Sequence, residues 1–308
     1  MRHVSRRQFI QQSSSALALG LAAPTLAYAA PVAEAPPASS PAAAVAKAAG
    51  ERTLGKTGIK TSLLGMGTGT TAWEHDSAQI RKGREFFIGT IRHAYDKGLR
   101  YFDLADMYGS HMYMRYAMQE GGMDRSRLML LTKTVGKTAD AVRADLDRFR
   151  QEVKTDYFDV VLLHCMTTPN WQEEMKPCME VLSEAKANGV IKAHGVSCHN
   201  LGAMEAAAES EWVDVMLNRI NPYGVKMDGD ENDAAKRVEQ VTAVLKKAHA
   251  NGKGMLGMKI AGEGEIKDRL NESIKFVTGL GCIDAMTIGF LEPKEIDDTM
   301  GRFDLVVA

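Results

Sequence analysis

The feature that most constrains this chain is an alternation running from Glu51 to its last residues. Short β-like runs exchange with amphipathic helical stripes, and a stop signal follows several of the stripes. Phe87, Ile91, Ala94 and Tyr95 recur at helical spacing before Lys97-Gly98, and the extended run Arg100–Leu104 comes next. Val142, Leu146, Phe149 and Val153 form a second stripe ahead of the apolar run Phe158–Leu163. Met175, Cys178, Leu182 and Ala185 form a third, stopped at Asn188-Gly189 before Ile191–Ser197. Val238, Val241, Leu245 and Ala248 repeat the device, with Asn251-Gly252 ahead of Met255–Ile260. Runs near 62–67, 128–133, 213–218 and 284–288 bring the expected strands to eight.

Strands buried on both faces and alternating with helices predict a parallel sheet. Eight such units over 51–308 match the size of a (β/α)8 TIM barrel. An open doubly wound sheet is the competitor, and it needs a Gly-rich turn entering a helix after its first strand. Gly65-Met-Gly67-Thr-Gly69 does not lead cleanly into one, so the barrel is favoured.

The chain before residue 51 reads differently. Residues 1–29 begin with Arg2, Arg6 and Arg7, continue through a mild Ala/Leu/Gly stretch and end at a small-residue site, Ala27-Tyr28-Ala29. This is the pattern of an export signal. Ser5-Arg6-Arg7-Gln8-Phe9-Ile10 resembles a twin-arginine signal, which implies passage to the periplasm through the export machinery; an ordinary secretory signal is the alternative. Gly20 and Pro24 interrupt the apolar run, so no stable membrane span is expected. Residues 30–50 are mostly Ala and Pro and predict a disordered linker. The net charge of −1 gives no basic surplus for nucleic acid. Four cysteines without a C-x-x-C pair argue against zinc-ribbon and iron–sulfur modules.

Barrel chemistry gathers at the C-terminal ends of strands. There the sequence places Asp103 and Tyr108 after the second strand, Lys133 at the end of the third and His164 at the end of the fourth. Singly, each fits a turn or a solvated strand end. Together, on three consecutive strand ends, they converge on one mouth.

These residues, taken with Arg52–Gly58, Phe102-Asp-x-Ala-x-x-Tyr-Gly109, Asp159–His164 and Gly195-Val-Ser197, resemble the aldo-keto reductase family in order and spacing over essentially all of 51–308. The resemblance implies a nicotinamide-dependent enzyme that reduces an aldehyde, ketone or sugar carbonyl, with Asp103, Tyr108, Lys133 and His164 as its tetrad. Tyr108 would donate the proton, Lys133 would lower its pKa, Asp103 would hold Lys133, and His164 would orient the carbonyl.

The resemblance further implies cofactor contacts at Gly67, Thr68, Ser197, Cys198, Asn218, Lys259, Gly289 and Lys294. Cys198 stands where the family commonly has Asn, and Asn218 is the available substitute for a missing Gln. Leu291 and Glu295 replace basic residues that would meet a 2′-phosphate, leaving NAD and NADP both open. Trp73, Met107 and Trp171 are candidate substrate-pocket residues. No metal is expected, because His164-Cys165 and Cys198-His199 are strand neighbours that should face opposite ways. The alternatives are a metal-dependent barrel hydrolase and a cofactor-binding interaction subunit with little turnover.

Overall fold

The computed structural model describes residues 47–307. The expected signal at 1–29 and the linker as far as residue 46 lie outside the described residues. The last part of that linker differs from expectation. Lys47–Ala49 form a 3-10 turn in which Ala48 is fully buried, and the Lys47 N–H donates to Asp304 Oδ1 at 2.9 Å. An alanine-rich segment cannot build a core of its own, but a small side chain can still dock on one.

A hairpin of β1 (Glu51–Thr53) and β2 (Lys60–Ser62) precedes the barrel. Leu54 and Ile59 from its turn enter the barrel interior with Tyr101, Leu131, Leu162 and Leu217. The barrel strands are β3 (Leu64–Gly67), β4 (Tyr101–Asp103), β5 (Met129–Thr134) and β6 (Phe158–Met166), then β7 (Ile191–Cys198), β8 (Val215–Arg219), β9 (Gly254–Met258) and β10 (Ala285–Gly289). Every neighbouring pair is parallel, and β10 pairs with β3 to close the ring. The eight expected strands are therefore present.

The principal helices are α1 (Ala78–Arg81), α2 (Arg84–Asp96), α3 (His111–Gly121), α4 (Ala139–Val153), α5 (Trp171–Glu174) and α6 (Lys176–Ala187), followed by α7 (Leu201–Glu209), α8 (Ala234–Ala250), α9 (Leu270–Gly279) and α10 (Pro293–Val306). Thr138, Asn200 and Asp233 accept backbone N–H bonds as side-chain caps of α4, α7 and α8, satisfying donors that have no partner within the helix. The expected stops after α6 and α8 contain Gly189 and Gly252 at positive φ, the conformation that reverses the chain most cheaply in glycine.

Strand alternation divides the core in two. One set of side chains fills the barrel, and the other, including Met66, Phe102, Val161, Val196 and Met216, packs under the helices. Gly65 lies on the inner face because a Cβ there would come within 2.2 Å of the Tyr101 ring. No helix among the described residues is long and apolar enough to cross a membrane.

Candidate active site

The inner-face register of β4 and β5 carries Asp103 and Lys133 to the same end of the barrel. Lys133 is fully buried, and its ammonium uses all three protons: it donates to Asp103 Oδ1, to Leu104 O at 2.9 Å and to Tyr108 Oη at 3.3 Å. Tyr108 follows β4 in a 3-10 turn, Asp106–Tyr108, anchored by the Arg148–Asp106 ion pair at 2.7 Å. The His164 ring meets the Tyr108 ring edge-on, with centroids 5.9 Å apart. The four expected side chains therefore share one mouth.

Burial acts on each of them. It pulls the Lys133 pKa down, but the charges of Asp103 and Tyr108 more than offset this, so Lys133 is held as an ammonium. Burial pushes Asp103 up while Lys133 opposes it. For Tyr108 the outcome differs from expectation: burial raises the phenol above its ordinary value, and the pull of Lys133 only reduces the rise. The ammonium is legible in sequence, whereas the depth of the phenol is not. Burial, followed by the Lys133 charge, holds His164 well below the usual imidazole range, so it is neutral at neutral pH.

Gly69 contributes through what it lacks. A Cβ there would sit 2.5 Å from three carbons of the Tyr108 ring.

The expected cofactor residues separate into two groups. Gly67, Gly289 and Ser197 follow inner-face positions of β3, β10 and β7, and a Cβ on Gly67 would lie 3.0 Å from Thr287 Oγ1. That hydroxyl is buried without a partner, so this corner can accept a polar ligand atom. Lys259 has φ +61° and pairs with Glu263 at the exit of β9. The turn Gly262–Gly264 follows, with open space beside Gly264.

The other group faces elsewhere or already has partners. Cys198 packs with Val196 beneath the helices, and Asn218 alternates with Met216 and Ile220 toward the same layer, so neither is aimed at the mouth. The Thr68 hydroxyl already bonds Asp103 O at 2.8 Å and Ser110 Oγ at 2.7 Å. Lys294 stands exposed on α10, paired with Asp298 at 2.5 Å. Among the pocket candidates, Met107 lies in the Tyr108 turn, where its carbonyl accepts the His75 N–H at 3.0 Å, and Trp73, two residues before His75, is 66 % exposed. Trp171 is core, with its indole N–H donating to Ala203 O at 3.3 Å.

Cys165, His199 and Arg219, to which the sequence reading gave no site role, complete the mouth. Between Leu163 and Met166, two residues of β6 face one of β7, and Cys165 takes φ +61°. This bulge breaks strict alternation, so His164, Cys165 and His199 bring donor atoms within 4.8 Å of one another. The sequence argument against a metal therefore fails in its premise.

The protonation pattern supplies another. Arg219 Nη2 lies 2.6 Å from His199 Nδ1, and a guanidinium can only donate. Nδ1 is the acceptor, so Nε2 carries the proton and has no lone pair for a metal. Arg219 is held in turn by buried Asp228 at 3.2 Å. Burial and then the Arg219 charge push the His199 pKa down to about 3.

With this geometry in place, comparison with known proteins is decisive. The sequence model described as the Aldo/keto reductase family matches residues 63–277. The chain belongs to that family. Methylglyoxal reductase DkgB of Escherichia coli O157:H7 is 28% identical over 141 residues, 44% of this chain and 52% of DkgB. The NAD/NADP-dependent indole-3-acetaldehyde reductase of Schizosaccharomyces pombe is 23% identical over 166 residues, 53% of this chain and 56% of its own length. The match thus spans about half the length of these curated relatives. In structure, the holo form of aldo-keto reductase AKR11C1 from Bacillus halodurans superimposes with a TM-score of 0.65 at 14% identity, covering 82% of this chain and 90% of that one. That likeness shows the barrel fold. Within the family match lie Asp103, Tyr108, Lys133 and His164, on the strand ends described above.

Proposed function

We propose that this family member is a nicotinamide-dependent carbonyl reductase acting on small aldehydes, ketones or sugar carbonyls. The observation that carries this reading is the Lys133 ammonium shared between Asp103 and the Tyr108 hydroxyl, with His164 edge-on to the same phenol. Negative charge grows on a carbonyl oxygen during reduction, and it needs a proton and nearby positive charge. Tyr108 gives the proton and Lys133 stabilises the phenolate left behind. Asp103 keeps Lys133 in place. Neutral His164 is suited to orient the carbonyl oxygen by hydrogen bonding rather than to protonate it.

A bound nicotinamide dinucleotide would supply the hydride. The Gly67–Thr287 corner, Ser197 and the Gly262–Gly264 turn are the residues that would hold it. At the start of α10 the Glu295 carboxylate accepts the Leu291 N–H at 2.6 Å, so an acid already occupies a place where a 2′-phosphate would seek donors. This supports NAD use, or weak discrimination. A hundredfold preference for NADP in nucleotide titration, about 2.7 kcal/mol, would refute it.

Replacing Tyr108 with Phe tests the central assignment. Carbonyl reduction should be abolished while nucleotide binding is retained, and near-parental turnover would remove Tyr108 as donor. The proposed setting is the periplasm, on the strength of Ser5–Ile10. Replacing Arg6 and Arg7 with Lys should then keep the precursor in the cytoplasm; unchanged export would point to the ordinary secretory route.

A further inference from the structure

Cys165 has no part in the reduction described above, yet it sits beside the reacting groups. It is half-buried, whereas Cys178, Cys198 and Cys282 are buried. The β6 bulge and its φ of +61° place its sulfur within 4.8 Å of a ring nitrogen of His164 and one of His199. A positive φ at a non-glycine residue carries a conformational cost that its surroundings must sustain. Here it brings a nucleophilic atom alongside the group proposed to orient a carbonyl.

Two independent features surround the sulfur. His199 Nε2 lies 3.8 Å from Sγ and, with Nδ1 taken by Arg219, must be the protonated nitrogen that faces it. His164 is only 6 % exposed, and its Nδ1 is buried with no partner, a polar group in need of a proton or a ligand. Burial raises the pKa of the thiol, but Lys133, Arg219, Lys137 and Lys259 all work against that rise. Negative charge developing on the sulfur would therefore meet a positive field.

We propose that Cys165 is a second carbonyl-reactive group of the mouth, which captures aldehydes reversibly as hemithioacetals. The proposal rests on the reading that a carbonyl docks between Tyr108 and His164. In the step, a bond forms between Sγ and the carbonyl carbon while the carbonyl π bond breaks. The thiol proton passes to a His164 ring nitrogen as Tyr108 protonates the former carbonyl oxygen, which becomes the hydroxyl; His164 then returns a proton to Tyr108. The net change is addition of S–H across C=O, with no oxidant or reductant. Aldehydes form such adducts far more readily than ketones, so capture selects aldehydes. The adduct carbon is already tetrahedral and cannot accept hydride, which makes capture a reservoir in competition with reduction.

The full chain, incubated with propanal carrying carbon-13 at its carbonyl, should show a protein-bound tetrahedral carbon by NMR, distinct from free propanal hydrate. That signal should be absent in Cys165→Ser and persist in Tyr108→Phe, where water can supply the proton. A measurement on the unmodified protein covers the case in which the serine variant does not fold. Propanal should slow iodoacetamide labelling of Cys165, located by peptide mass spectrometry, by about tenfold, and acetone should not. Equal protection by propanal and acetone would mean simple occupancy and overturn the proposal, as would a signal that survives in folded Cys165→Ser. Propanal reduction without a thiol-dependent signal also overturns capture. A thiol-dependent signal without reduction leaves capture standing and overturns the reductase reading.

Discussion

Lys133→Met separates the structural work of the ammonium from its chemical work. The lysine is fully buried, and its partner Asp103 is 4 % exposed. Methionine matches the lysine stem in volume, so little packing is lost. What remains is a buried carboxylate without its cation, which costs about 3–5 kcal/mol when one partner of a buried pair is removed. For a chain of this size that corresponds to a fall in Tm on the order of 10 °C. Adding Asp103→Asn to the same chain removes the orphaned charge and should recover about 2 kcal/mol or more of the loss. Carbonyl reduction should stay abolished in both, since neither variant stabilises the Tyr108 phenolate. Urea unfolding and steady-state turnover on the single and double variants are the assay. If the double variant is no more stable than the single one, Asp103 does not depend on Lys133. If it regains turnover, Lys133 does not serve Tyr108.

Two further outcomes follow from geometry. Gly69→Ala places a Cβ 2.5 Å from the Tyr108 ring, so the phenol must move; kcat should fall on the order of a hundredfold with little change in Tm, and an unchanged kcat would mean the position of the phenol is not critical. His194 stacks on Trp212 at 4.3 Å, and burial depresses its pKa to about 4. The folded state thus binds fewer protons than the unfolded one, whose histidine titrates near ~6.5, and stability is lost as pH falls from that value toward 4. Between about pH 8 and pH 4.5 the loss from this residue is roughly 2–3 kcal/mol. His194→Phe keeps the stack and should flatten urea-unfolding stability over that range by this amount; parallel curves would refute it.

The barrel was legible because its cues are local. Helical stripes, the stops at Asn188-Gly189 and Asn251-Gly252, and strands apolar on both faces all act over a few residues. The gathering of Asp103, Tyr108, Lys133 and His164 was legible because they lie at the ends of consecutive strands. The rest of the mouth depends on which face a side chain takes, which the resemblance that put Cys198 and Asn218 at the cofactor does not settle. Cys198 and Asn218 obey the alternation and turn away from the mouth. Cys165 breaks it through a bulge that no residue type announces. Arg219 and Asp228 find one another across a loop, so the pair exists only once the chain is folded. The adjacency of His164 with Cys165, and of Cys198 with His199, was the available signal. Reading it required the backbone.

The ring closes between β3 and β10, the first and last strands of the barrel, with Met286 N–H donating to Leu63 O at 2.8 Å. Until β10 arrives, a growing polypeptide can form at most an open sheet. Its two outer strands then present rows of unpaired amides and carbonyls, the surfaces on which separate molecules join edge to edge. Synthesis therefore passes through a sticky interval that ends only once Ala285–Gly289 have been made. Any nascent chain halted before Ala285 would remain in that interval, with its half of every missing ladder bond on offer to its neighbours.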